Sequence, residues 1–165
     1  MKISPGSLYF ISDQFFQKIQ DPYLKINYET TKRPHYFAIT DQETGLYWLV
    51  PCSSKIEKFE RLIREKQARH KPADTIKIIK IFDKKTALLF QDMFPVTEHY
   101  IDSPYIKGGQ SVKISDPAII RELEKTARKV INLLRRGIRF TPTQPDSMHI
   151  EKVMLEELSV SPTSP

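Results

Sequence analysis

The longest helical pattern in the chain opens at Asp116-Pro117 and stops at Gly137, and it constrains everything before it. Asp at the N-cap and Pro at the first helical position mark its start. Ile120, Leu123, Ala127, Val130, Ile131 and Leu134 form an apolar stripe, with Arg121, Lys125, Arg128, Lys129, Arg135 and Arg136 around the rest of the helix. A stripe of that width needs an apolar surface to cover. The preceding segments offer one as strands. Ile3–Ile11 is entered through a Pro-Gly turn. His35–Thr40 and Leu46–Val50 flank Asp41–Gly45 as a hairpin, the second strand ending at Pro51. Thr75–Phe82 and Thr86–Phe90 are joined by Asp83-Lys84-Lys85, and Met93–Ile101 is extended on the way to a turn at Gly108-Gly109.

Three more helices complete the pattern. Ser12 or Asp13 caps a short one bearing Phe15, Phe16 and Ile19. A second starts at Ser54, carries Ile56, Phe59, Leu62 and Ile63, and ends before Pro72. A last one runs from Asp146 to about Leu158 with Ile150, Val153, Met154 and Leu158 apolar. Strands in the first two-thirds and long helices in the last third predict an α+β fold. A twisted, mostly antiparallel sheet or small barrel carries the added helices. One domain over 1–158 is expected, followed by a disordered tail over 159–165, rich in Ser and Pro.

The single Cys52 permits no internal disulfide, and neither a signal-like apolar segment nor a membrane-length apolar run occurs. A soluble, cytoplasmic protein is expected. The net charge is +6, but residues 146–165 hold one lysine and four acids, which leaves +9 for residues 1–145. A basic body makes a polyanion the first partner to consider, because neutralising phosphates releases counterions.

Several chemistries lack their residues. His35, His70, His99 and His149 are scattered, and no paired His or Cys spacing supports a metal site, so neither a metal nor another cofactor is expected. Gly108-Gly109 is not followed by the Lys-Ser/Thr of a phosphate loop, and no Gly-x-Ser-x-Gly surrounds Ser53. What remains is chemistry by cations, hydroxyls and backbone amides. RNA cleavage without a metal fits: the substrate's 2′-hydroxyl attacks, and the protein stabilises the phosphorane.

Two stretches could supply that chemistry. In Leu49-Val-Pro-Cys-Ser-Ser-Lys-Ile-Glu-Lys-Phe59, Ser54-Lys55-Ile56-Glu57 reads as a capping box worth about 1 kcal/mol. That duty explains Ser54 and leaves Ser53 for function, while Cys52 reads as a buried small residue. In Lys32-Arg33-Pro34-His35, Pro34 holds Arg33 extended at a strand entrance, and the long polar loop 21–33 precedes it. The cations read either as a solvated pair or as site groups. His35 titrates near neutrality and is a candidate acid or base.

The opening SPGSLYFI, the long loop and KRPHYFAI resemble the MazF/PemK-like toxins, small barrels that cut single-stranded RNA. KRP, YWLVPCSSKIEKF, MFPVTEHYI, ARKVINLLRRGI and IEKVMLEEL, in this order over nearly the whole chain, are more similar to the type III toxin–antitoxin ribonucleases, the ToxN, AbiQ and CptN group, and within it to the CptN type. The resemblance implies a metal-independent endoribonuclease leaving a 2′,3′-cyclic phosphate and a 5′-hydroxyl. It implies inhibition by a tandem-repeat, pseudoknot-like RNA antitoxin that the toxin itself processes, in rings of two or three proteins alternating with RNA. By motif, Arg33 matches the catalytic cation, Tyr28 an aromatic before it, and Ser53 and Ser54 the hydroxyl pair. The family lysine two residues after the second hydroxyl is Ile56 here, so Lys55 or Lys58 must replace it. Lys58, one helical turn from Ser54, is favoured. Lys32, Tyr28 and His35 would assist positioning or proton transfer. The two RNA-contacting faces would come from Arg61, Arg64, Lys66 and Arg69 on one helix and Arg128, Lys129, Arg135, Arg136 and Arg139 along the other. A non-catalytic RNA-binding module using the same helices is the alternative.

Overall fold

The computed structural model describes residues 1–160. The chain runs β1 (Leu8–Ile11), α1 (Asp13–Ile19), β2 (Pro34–Thr40), β3 (Tyr47–Ser53), α2 (Ile56–Ala68), β4 (Ile76–Ile81) and β5 (Lys84–Leu89). It continues through β6 (Phe94–Val96), β7 (Ile101–Pro104), β8 (Ile106–Lys107), β9 (Gln110–Ser111), α3 (Pro117–Arg135) and α4 (Ser147–Val160). Seven strands form one sheet in the order β4-β5-β3-β2-β1-β7, with β6 also paired to β3, and β8-β9 form a separate ribbon. Every strand pair is antiparallel. The fold is α+β, as the segregation of strands and helices predicts.

β3 is the shared strand, and it runs past the boundary expected at Pro51. One edge pairs with β2 along its length; the other pairs with β6 up to Leu49 and with β5 from Cys52. Pro51 therefore falls where neither β6 nor β5 has a partner residue opposite. Proline, lacking a backbone N–H, is excluded from a continuous central ladder, and this changeover is where it fits.

Other boundaries shift for local reasons. The β4–β5 turn is Phe82-Asp83 rather than Asp83–Lys85, because two left-handed residues close a two-residue hairpin and the lysines then join β5. Met93–Ile101 is broken between β6 and β7 by a 3-10 turn at Glu98–Tyr100. α2 begins at Ile56 instead of Ser54, and α4 continues through Ser159 and Val160, both expected in the tail; residues 161–165 lie outside the described residues. Gly6 answers a packing demand as well as a turn: at φ +94°, an added Cβ would lie 2.8 Å from the Ile120 side chain and 2.9 Å from the Ile114 carbonyl oxygen.

Both faces of the sheet are covered, which is why β2 and β3 are nearly continuously apolar. Tyr36, Ala38, Trp48 and Val50 face α3, meeting Leu123, Ala127, Val130, Ile131 and Leu134. Phe37 and Leu49 face the other way, onto Phe15, Phe16, Phe94 and, from α4, Ile150 and Met154. A smaller cluster of Phe59, Ile76, Ala87 and Leu89 lies under α2.

Arg135 ties these layers together. Its guanidinium donates to Asp41 in the β2–β3 turn and to Glu151 of α4 at 3.0 Å. Although expected on an RNA-contacting face, it is engaged in ion pairs between elements, and Asp41 is only 8% exposed. Burial pushes the Asp41 carboxyl up, but the Arg135 guanidinium and the Glu43 amide outweigh it and hold the pKa below the usual carboxylate value. Arg135→Met should lower stability by roughly 1–3 kcal/mol, because the buried carboxylate loses its cation. Denaturant melts measure this, and Arg136→Met should stay within about 0.5 kcal/mol of wild type.

Candidate functional site

A cleft of about 360 Å³ opens at the end of β3. One side is the loop before β2, with Tyr28, Thr31 and Lys32; Ser53 and Ser54 sit at the end of β3; the opposite side is the β4–β5 hairpin and the start of the β8–β9 ribbon. Leu8, Cys52, Ile81 and Val112 contribute apolar lining. Four of the expected residues (Tyr28, Lys32, Ser53 and Ser54) thus meet in one cavity, although they come from segments about two dozen residues apart in the sequence.

Arg33 adjoins this group. Its Cζ lies 4.7 Å from the centre of the Tyr28 ring. Nη1 donates to the Cys52 carbonyl at 2.8 Å, and Nε donates to Ile26 O at 3.4 Å. Its backbone amide is fixed by Asn27 Oδ1 at 3.1 Å, so loop and strand end are stitched at this residue. A guanidinium has five N–H donors, and these contacts leave others free. Lys32 pairs with Asp102 of β7.

The serines exchange the duties expected of them. Ser53 Oγ accepts from the Lys55 amide at 3.2 Å, while no side-chain cap serves α2 at Lys55 and the Ser54–Glu57 box does not form. The reason is that β3 continues to Ser53 and α2 starts at Ile56, so Ser53 and Ser54 form the turn between them and the Ser53 hydroxyl meets the Lys55 amide two residues on. Ser53 is buried and Ser54 exposed. The Lys55 amide occupies an acceptor position of Ser53, and its O–H proton remains to donate.

Beyond the cleft, Asp92 gathers cations that sequence spacing did not connect. It is 5% exposed and lies 3.9 Å from Lys25 Nζ. Burial raises its pKa to about 6, opposed by the charges of Lys25, Arg33 and Lys58. Lys58 is exposed on α2, with Nζ 5.4 Å from the centre of the Phe59 ring and outside the cleft lining. Lys55 is exposed at the helix start.

His35 is placed against the proton-transfer reading. It is fully buried beside the Phe16 and Phe94 rings, with Nδ1 3.0 Å from the Arg33 carbonyl. Burial first, and Arg33 second, lower its pKa to about 3. A neutral ring that donates Nδ1–H to that carbonyl orients Arg33's backbone and cannot reach the cleft. Cys52 is buried, and its thiol is pushed up to about 12, also by burial.

The basic helix residues lie outside the cleft lining. Arg61 pairs with Glu65, Lys66 reaches Thr75, Arg128 pairs with Glu124 and Lys129 with Asp74. Arg64, Arg69, Arg136 and Arg139 are exposed and unpaired among the described residues. Sequence reasoning missed Asp92, Phe82, Lys84, Thr86, Tyr105 and Lys107; they are brought in by long-range pairing that no local motif announces. Among the described residues no group of three His, Cys, Asp or Glu side chains could hold a metal ion, and no helix is long and apolar enough to cross a membrane.

Two measurements follow from this arrangement. Ser53→Ala should cost about 1 kcal/mol through the lost bond from the Lys55 amide, whereas Ser54→Ala should leave the melting temperature unchanged. Between pH 6.5 and about 3 the unfolded state binds a proton at His35 that the native state refuses, so stability falls as the pH drops through that window. Asp92 acts oppositely: between about 6 and 3.8 the native state binds more protons, so its contribution is complete below 3.8 and lost as the pH rises through about 6. Denaturant melts across this range should show Asp92→Asn more acid-sensitive than wild type and His35→Gln less so.

No family profile matches the chain, and no curated protein sequence matches it. Among solved structures it is similar to AbiQ, a lactococcal anti-phage endoribonuclease belonging to the type III toxin–antitoxin system. The TM-score is 0.72 at 10% sequence identity, covering 94% of this chain and 99% of that one. The two chains share a fold over nearly their full lengths.

Proposed function

We propose that the chain is the toxin of a type III toxin–antitoxin pair: an endoribonuclease that cuts cellular RNA and is restrained by a repeat RNA that it processes and keeps bound. The observation that carries this reading is the meeting of Arg33, Tyr28, Ser53 and Ser54 at the end of β3, in a fold shared with an endoribonuclease of that system. The antitoxin RNA would occupy the same cleft, which accounts for inhibition by a cut product. Further contacts from exposed Arg64 on α2 and Arg69 at its C-cap, and from Arg136 and Arg139 beyond α3, would join neighbouring RNAs into a ring.

In this reading the RNA 2′-oxygen attacks the adjacent phosphorus as the P–O5′ bond breaks, giving a 2′,3′-cyclic phosphate and a 5′-hydroxyl. Ser53 donates its free O–H to a phosphate oxygen and Ser54 lies beside it. Arg33 brings its unused N–H groups to the growing phosphorane charge, and Lys58 adds a second cation. Tyr28 holds the guanidinium from behind, a contact strengthened where the cation is desolvated. His35 has no part in moving the proton, since it is enclosed in the core.

Incubated with RNA in EDTA, the protein should leave 2′,3′-cyclic phosphate and 5′-hydroxyl ends, and Arg33→Ala should cut the rate by about a hundredfold or more while still folding, with a melting temperature lowered only by the lost bonds to Cys52 and Ile26. Expression without the antitoxin RNA should arrest bacterial growth, and Arg33→Ala should relieve the arrest. RNA left intact in EDTA, or arrest undiminished in a folded Arg33→Ala variant, refutes the assignment; salt-dependent binding without cleavage would instead identify a non-catalytic RNA-binding protein.

A further inference from the structure

The cleft has a second wall, the tip of the β4–β5 hairpin. Phe82 and Asp83 close this hairpin with both φ angles positive, 49° and 62°. Such a two-residue turn suits Asn or Gly, because a side chain in the left-handed region crowds the backbone. Asp tolerates the position, but a bulky aromatic there is an outlier. Phe82 receives no core packing in exchange: it is 42% exposed and belongs to none of the hydrophobic clusters. Its ring lines the cleft instead. A strained backbone that presents an exposed ring to a cavity is the arrangement expected where a ligand uses the ring.

The surroundings say what kind of ligand. Tyr105 lines the same cleft and is held in place by the Phe10 ring, stacked at 5.2 Å with an interplanar angle of 30°. Lys84 and Lys107 line it too, both exposed and neither paired with a carboxylate among the described residues. Aromatic faces alternating with unpaired ammonium groups suit a single-stranded nucleic acid, whose bases stack while its phosphates are neutralised.

We infer that Phe82 is a base-stacking platform: one nucleobase near the scissile phosphate lies on its ring while Lys84 and Lys107 hold the neighbouring phosphates, so the hairpin tip selects the RNA segment that is seated. This rests on the ligand being single-stranded RNA, as proposed above, but not on its being cut. The test uses short 2′-O-methyl oligoribonucleotides of randomised sequence, in which the attacking hydroxyl is blocked, some carrying 2-aminopurine. Phe82→Gly removes the ring and relieves the turn, so it should melt at or above the wild-type temperature. Its Kd should rise about tenfold, and the quenching of 2-aminopurine seen with wild type should be lost; Phe82→Tyr should retain both. Unchanged affinity and unchanged quenching in Phe82→Gly overturn the inference, as does a lowered melting temperature, which would make the ring structural. Ring-dependent quenching alongside intact unmodified RNA supports the platform while refuting the nuclease reading; wild-type protein that binds no oligonucleotide refutes both.

Discussion

The pairing of β3 with three other strands is the constraint on which the molecule depends. One edge of this strand is committed to β2, while the other is divided between β6 and β5. The division makes room for Pro51, carries the strand on to Ser53 and brings the β4–β5 hairpin beside the strand end. Without the changeover, the sheet would continue flat past Pro51 and the cleft would have no far wall. The cavity is therefore a product of strand pairing together with the loop before β2.

Charge placement follows from the same geometry. Arg33 crosses from the entrance of β2 to the Cys52 carbonyl, which is possible because His35 and Pro51 are register partners. His35, buried beneath, holds the Arg33 carbonyl and stays neutral because burial disfavours its charged form. Asp92 supplies a partly compensating charge for Lys25, Arg33 and Lys58 in a place screened from solvent.

Much of this was legible in the sequence where the signal is local. The Asp116-Pro117 start, the Gly137 stop and the apolar stripe between them define α3 correctly, and Ser12 caps α1 as its position suggests. The Lys-Arg-Pro and Ser-Ser motifs were recognisable, and Tyr28, Lys32, Ser53 and Ser54 do share a cavity. The division of labour between the serines was not legible, because it turns on whether β3 stops at Pro51 or runs to Ser53, and that is decided by the distant β5. The opposite wall was illegible for the same reason. Arg135 misled because charge on a helix face looks solvent-directed until the turn it clamps is known.

The β4–β5 hairpin is joined to the rest of the sheet through only Cys52–Leu88 and Ser53–Ala87, and its inner side rests on its own small cluster beneath α2. Its turn residues Phe82 and Asp83 belong to neither of the two large cores, although Ile81 and Leu88 behind them pack into the one under α3. Changes confined to Phe82 and Asp83 can therefore reshape the cleft at little cost to the scaffold, so the site and the fold can diversify at separate rates. Such separation allows chains with as little as 10% sequence identity to keep one architecture.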